Sequence, residues 1–294
     1  MGVVSTRARI RSSGRRTGVL PLLPFFIFTG FFLIWPVIAV TIRSFKGNKN
    51  EWTLANYRPI LHSGPYLHAF VVSLKLSMIT AVIGSLLGAF FAYVIVKYAH
   101  GKFGAVIDSI SAVFANSGGV PLAFMFVAAF GTEGIVTKVL KDFGWDIYAG
   151  HFTIFSFAGV VAVYSFFQIP LMVLVFKPAI AGLRREWVEA SINLGASPFT
   201  YWRRVGIPIL IPSFVGAFFL LFAGGFSAYA TARALTVGTV PLVPIIIGTL
   251  VDGNVISDQQ NLGDSLAVGM IVVATIVMAG YIWAGRAAAK WRSY

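Results

Sequence analysis

Long apolar runs separated by short polar stretches set the pattern of this chain. The runs are Val19–Ile42, Ala69–Val96, Ala105–Phe130, Phe152–Phe176, Ile207–Ala232 and Leu266–Gly285. Each matches the roughly 20 apolar residues that cross a hydrocarbon core as a helix. The expected fold is therefore all-α: a polytopic membrane protein with six transmembrane helices. Between the runs lie an aromatic and proline-rich loop (43–68), a short basic turn (97–104), a mixed-charge loop (131–151), a polar stretch (183–208) and a long acid-rich loop (233–265). The last contains an apolar core, Pro241–Leu250, too short to span, which reads as a re-entrant or surface-lying piece. The division expected is a basic arm (1–18) followed by one six-span domain (19–294).

Two kinds of interruption stand out inside the runs. Asn116-Ser117-Gly118-Gly119-Val120-Pro121 falls near the middle of the third. Two glycines and a proline weaken a helix there and free backbone carbonyls. Irregular backbone at bilayer depth is tolerated only against protein or a wet cavity, so the break marks either a solute path or a packing kink. The second kind is polar side chains far from the charged ends: Tyr164 and Gln168 in the fourth run, Ser227 and Tyr229 in the fifth. An unpaired polar group is costly in hydrocarbon. With Asn116 and Ser117 these form the candidate translocation path, and interhelical hydrogen bonding is the structural alternative for each. Lys75, near the start of the second run, can snorkel to the headgroups.

Charge turns the spans into a topology. The formal net charge is +13. Six spans put both termini on one side, and 15 of the 23 Lys and Arg fall there. They occupy the arm (Arg7, Arg9, Arg11, Arg15, Arg16), the basic turn, residues 177–206 and the tail. The opposite loops hold 7, and seven of the ten acids balance them. The positive-inside rule places both termini and the 183–208 stretch in the cytoplasm. Anionic lipid and topology then account for the excess charge, so no nucleic-acid partner is needed. With no cysteine, disulfides, thiolate metal sites and cysteine nucleophiles are excluded. The four histidines (His62, His68, His100, His151) show no ligand spacing. No phosphate-binding glycine loop, HExxH or nucleophile elbow occurs, so catalysis within this chain is unsupported.

The polar stretch Leu183–Pro208 is patterned as a helix, a turn and a short helix. Leu183, Trp187, Ala190 and Leu194 share one face, with Arg184, Arg185, Glu186, Glu189 and Asn193 on the other. Arg185 can pair with Glu189 one turn on. Gly195 suits a left-handed helix end, and Ser197-Pro198 reads as a cap with proline at the first helical position. Glu189-Ala190-Ser191, three residues, Gly195, nine residues, then Val205-Gly206-Ile207-Pro208 resembles the cytoplasmic EAA loop of ABC importer membrane subunits. That family's pattern is E-A-A, three residues, G, nine residues, I-x-L-P; Ser191, Val205 and Ile207 depart from it conservatively. The alternative without the resemblance is an amphipathic helix lying on the membrane.

The resemblance implies a type I ABC importer permease in a bacterial inner membrane. Its loop would dock on ATPase subunits through Arg185, Glu189, Ala190, Ser191, Gly195 and Pro208. It also implies two ATPase subunits, a second permease, identical or related, and an extracytoplasmic solute-binding protein. No cofactor is expected in this chain, ATP and Mg being held by the ATPase subunits. Within the family, F-S-A-Y-A-T-A-R-A-L (226–235), V-P-L-V-P-I-I-I-G (240–248) and N-L-G-D-S-L-A (261–267) look most similar to the polyamine, opine and phosphonate branch, with the sugar importers as runner-up. A polyamine substrate would give Asp252 and Asp258 of the outer loop a steering role. A non-transporting membrane scaffold is the reading from another class.

Overall fold

The computed structural model describes residues 22–47, 50–62, 64–99, 101–150, 152–236, 238–251 and 260–292. The basic arm, His100, His151, Asp252 and Asp258 lie outside the described residues.

Among the described residues, six helical segments are long and apolar enough to cross a membrane, the third covering Val120–Asp142 where the run Ala105–Phe130 was expected. Helix α1 (Leu23–Ser44) is followed by α2 (Gly64–Tyr98), the longest described. The third run is divided: α3 (Gly101–Ala115) stops, and α4 (Val120–Phe130) restarts after four non-helical residues. A short helix α5 (Ile135–Asp142) closes that passage. Then come α6 (Phe157–Ala181), α7 (Arg185–Asn193), α8 (Pro198–Ser227), α9 (Ala230–Thr236), α10 (Val243–Val251) and α11 (Gln260–Arg292).

The core is the α2–α6–α8 contact, with α3 on α6, α11 on α8, and α1 on α11. In lipid there is no hydrophobic drive between helices, so close packing must hold them. Gly88 lets α2 approach α6: a Cβ there would lie 2.7 Å from the carbonyl oxygen of Ile169 and would also collide with Met172. Ala81, Met172, Phe176, Leu221 and Phe222 fill the middle of the bundle. Outward faces are equally apolar. Phe25, Phe28, Phe31 and Leu33 on α1 are each more than 60% exposed, which suits a helix whose solvent is lipid.

At the end of the bundle away from α7, polar groups tie α1 to α11. Arg43 Nε lies 3.0 Å from Asp264 Oδ2, Ser265 donates to the carbonyl of Ser44, and Asn56 donates to Ser44 and Lys46 carbonyls. Asp264, two residues before the sixth run, is thus a buried structural partner.

Four expectations need correction. The fourth helix begins at Phe157, not Phe152, because Ser156 caps it by accepting from the Gly159 N–H. Of the two readings of Pro241–Leu250, re-entrant or surface-lying, the second does not hold. The helical part of this segment, α10, packs on α11, buries Val243, Ile245 and Leu250, and donates the Val243 N–H to the Ser73 hydroxyl oxygen. The fifth run is not helical to Ala232; α8 ends at Ser227 and Ala228 is extended (φ −69°, ψ 108°). Finally, the short helix at Pro198 is not separate from the fifth span. It runs unbroken into it through a π turn at Trp202–Gly206. A proline ring clashes with the carbonyl four residues back, and Pro208 would meet Arg204 there; the wider turn relieves this. The same arrangement precedes Pro36, where the π turn covers Gly30–Ile34. Pro170, Pro178 and Pro212 sit in ordinary helix, so proline permits the π turn without dictating it.

Candidate functional site: an exposed loop and a paired break

The 183–208 loop is built as its pattern predicts. Helix α7 ends in two bonds, Ala196 N–H to Ser191 O (2.9 Å) and Gly195 N–H to Ile192 O (2.8 Å), with Gly195 at φ +74°. This is the Schellman geometry, which an L side chain at 195 would strain. Ser197 accepts from the Thr200 N–H and Pro198 opens α8. Arg185 stands 4.0 Å from Glu189, both exposed, so this pair adds little to stability.

Among the described residues, three apolar side chains of the loop stand without cover. No residue of α7 is buried; Ile192, Leu194 and Phe199 are 61%, 87% and 73% exposed. Ala190 and Glu189 are exposed beside them, Ser191 is half-buried with its hydroxyl on the Val188 carbonyl, and Pro208 is exposed about three turns into α8. The loop is anchored at its base: Trp202 meets Tyr93 of α2 edge-on at 5.4 Å. Neither residue belonged to the expected motif set. On the other flank, Lys177 of α6 holds both carboxylate oxygens of Asp108 on α3, at 2.6 and 2.5 Å.

The second site is where two broken helices meet. Gly119, at φ +101° before α4, faces Thr231 in the first turn of α9. The Thr231 hydroxyl accepts from the Gly119 N–H at 2.7 Å and donates to the Gly119 carbonyl at 3.2 Å. Beside this pair is a cavity of about 360 Å³ lined by Asn116, Gly118, Phe167, Gly224, Ala228 and Tyr229, among others. Its lining carries no charged side chain. A larger groove, about 660 Å³, runs between α6, α8 and α11, but its walls are mostly aliphatic and aromatic, suited to hydrocarbon.

The six polar candidates separate in this geometry. Asn116 and Tyr229 line the cavity. Tyr164 is fully buried behind it and donates to the Ala228 carbonyl at 2.9 Å, satisfying a backbone group that the end of α8 leaves free. Ser117 and Ser227 return their hydroxyls to their own helices, at the Val113 and Ala223 carbonyls. Gln168 lies at the α2–α6–α8 junction, donating to Thr80 Oγ1 and the Leu221 carbonyl, with its Oε1 buried and unpartnered. It serves interhelical bonding there and does not line the cavity. Thr231, Ala228 and Phe167 were missed in the sequence. Thr231 is one of many small polar residues in an apolar chain, and nothing in its neighbours signals a partner 112 residues away.

Residues 84–292 match the family described as the binding-protein-dependent transport system inner membrane component. The chain belongs to that family. Like other such components it is a multi-pass membrane protein, here with six candidate spans. It is 24% identical over 213 residues to a probable sulfate transport system permease protein of Helicosporidium sp. subsp. Simulium jonesii, covering 71% of this chain and 72% of that one. It is 26% identical over 262 residues to the molybdenum transport system permease protein ModB of Mycobacterium tuberculosis, covering 85% and 88%. The fold is similar to a chain of a bacterial ABC transporter involved in the import of the acidic polysaccharide alginate (TM-score 0.72, 16% identity, covering 93% of this chain and 95% of that one). These relatives carry sulfate and molybdenum names, so the polyamine branch expected from residues 226–267 is not supported by them.

Proposed function

We propose that this chain is one of two membrane-spanning subunits of an ATP-driven importer and that its solute is a small oxyanion of the sulfate or molybdate class. The observation that carries the coupling part is the loop itself: a rigidly capped helix–turn presenting Ile192, Leu194 and Phe199 to solvent, on the side that the positive-inside rule assigns to the cytoplasm. Apolar side chains clustered on a polar loop suit a protein partner, here an ATPase subunit. Both termini share that side, and an extracytoplasmic binding protein delivers the solute at the other.

The helices that frame the loop also frame the cavity. Helix α8 has 30 residues from Pro198 to Ser227, about 45 Å of continuous helix from loop to break. On the other flank α6 enters the loop and is ion-paired to α3, which ends at Ala115, just before Asn116. Displacement of α7 is thus passed to both breaks by rigid elements. The oxyanion assignment rests on the names of the relatives and agrees with a cavity lining that offers hydroxyl and amide groups and no carboxylate.

Reconstitution with the partner subunits and binding protein tests this. The expected result is ATP-dependent uptake of labelled sulfate or molybdate that excess spermidine does not inhibit. Uptake of spermidine with none of either oxyanion would return the chain to the polyamine branch.

A further inference from the structure

A side chain in the helix that follows one unwound segment is bonded to the other segment. Thr231 is 3% exposed, and its hydroxyl makes a reciprocal pair of bonds to the Gly119 N–H and carbonyl. Gly119 has left-handed φ, so its peptide groups are presented in a direction that helix geometry does not allow. The residues on either side of the pair, Asn116, Gly118 and Gly119 from one break and Ala228, Tyr229 and Thr231 from the other, line the same cavity. Tyr164 fixes the second break in turn by donating to the Ala228 carbonyl. Other contacts between the two segments are made by short helices: α4 and α9 pack together, with Leu122, Ala123, Ala232 and Leu235 in one cluster. The hydroxyl pair adds a directional tie at the common end of α4 and α9, beside this apolar contact.

We propose that the Thr231–Gly119 pair is a latch that keeps the solute path closed in the resting importer and parts when the ATPase subunits drive α7. The inference rests on the reading of this cavity as the path. Two bonds made by one hydroxyl are well matched to such a task. They are directional, they satisfy both backbone groups of Gly119 when closed, and water or a polar solute replaces them when the walls part. Thr231 is a positioning residue here; it acts by fixing the two walls.

The chain has no cysteine, so a single reporter can be read without background. Ala228→Cys places it on the cavity wall, half-buried in extended backbone. Its labelling by a small, membrane-impermeant methanethiosulfonate is measured in the complete importer, without nucleotide and with ATP. With Thr231 present, labelling is expected to be slow without nucleotide and faster with ATP. Thr231→Val removes the hydroxyl at nearly constant volume and should raise the nucleotide-free rate about tenfold. Thr231→Ser keeps the hydroxyl and should leave that rate at the parent's value. Thr231→Ala carries the same prediction as Thr231→Val if the valine variant does not assemble. A nucleotide-free rate unchanged by loss of the hydroxyl overturns the latch, as does a serine variant that labels like valine. Labelling that never responds to ATP in the Thr231 parent overturns the path reading itself, a distinct outcome.

Discussion

The loop at 183–208 and the paired break at 116–119 and 228–231 solve opposite problems. The loop keeps its backbone bonds local and leaves its side chains uncommitted: Gly195 and Ser197 complete its turn within a few residues, while Leu194 stays 87% exposed. The break does the reverse. Its backbone groups are bonded by residues distant in sequence, Thr231 to Gly119 and Tyr164 to Ala228. A turn whose bonds close within a few residues can be encoded locally. An irregular backbone inside a membrane cannot, because every freed group needs a partner and the partner lies on another helix.

The largest effect separating the two should come from Gly195→Val. A β-branched residue at φ +74° costs about 1–3 kcal/mol and distorts the turn that presents Leu194. ATP hydrolysis stimulated by the loaded binding protein should fall about 30-fold, the usual consequence of losing an interface hot spot. Glu189→Lys should act in the same direction. Neither should alter thermal unfolding of the span bundle, since α7 makes no buried contact with it. A matching loss of bundle stability would break the distinction between the regions.

A smaller effect distinguishes two adjacent glycines at the break. Gly119→Ala puts a Cβ on left-handed backbone, whereas a Cβ at Gly118 meets nothing within 4 Å. Uptake should drop about tenfold for Gly119→Ala, equivalent to a strain of roughly 1.4 kcal/mol. Gly118→Ala should stay within about twofold of the parent. Equal effects would mean that the break is merely a weak point in a helix and that its geometry is immaterial.

The smallest expected effect is at the link between the two regions. Lys177→Met leaves Asp108 without its partner, yet Asp108 is 41% exposed, so the cost should stay below about 1 kcal/mol. Unfolding by heat would show a shift of a few degrees at most. Asp108→Asn with Lys177→Met should recover part of it, because no lone charge remains.

How much could be read in advance follows the same division. The six spans, the Gly195 turn and the Gly118-Gly119 break were legible because glycine, proline and apolar periodicity act locally. The second break was not. Ser227-Ala228-Tyr229-Ala230 contains neither glycine nor proline, and α8 stops there because tertiary bonds from Tyr164 and Thr231 favour the unwound form. Pro208 misled in the opposite sense. It looks like a helix boundary, but the π turn at Trp202–Gly206 absorbs it and leaves one helix between loop and break. Gln168 looked like a path residue because it is polar and central; its place between Thr80 and Leu221 depends on how three helices pack, which no single segment encodes.

The account depends most on what the exposed loop touches. A Leu194→Cys chain, otherwise free of cysteine, can be treated in the assembled importer with a short thiol-to-amine cross-linker. The account predicts a covalent product with the ATPase subunit from position 194 and none from Leu220→Cys, which is 47% exposed about two turns from the far end of α8. A product from both positions, or none from 194 in a complex that copurifies intact, would contradict it.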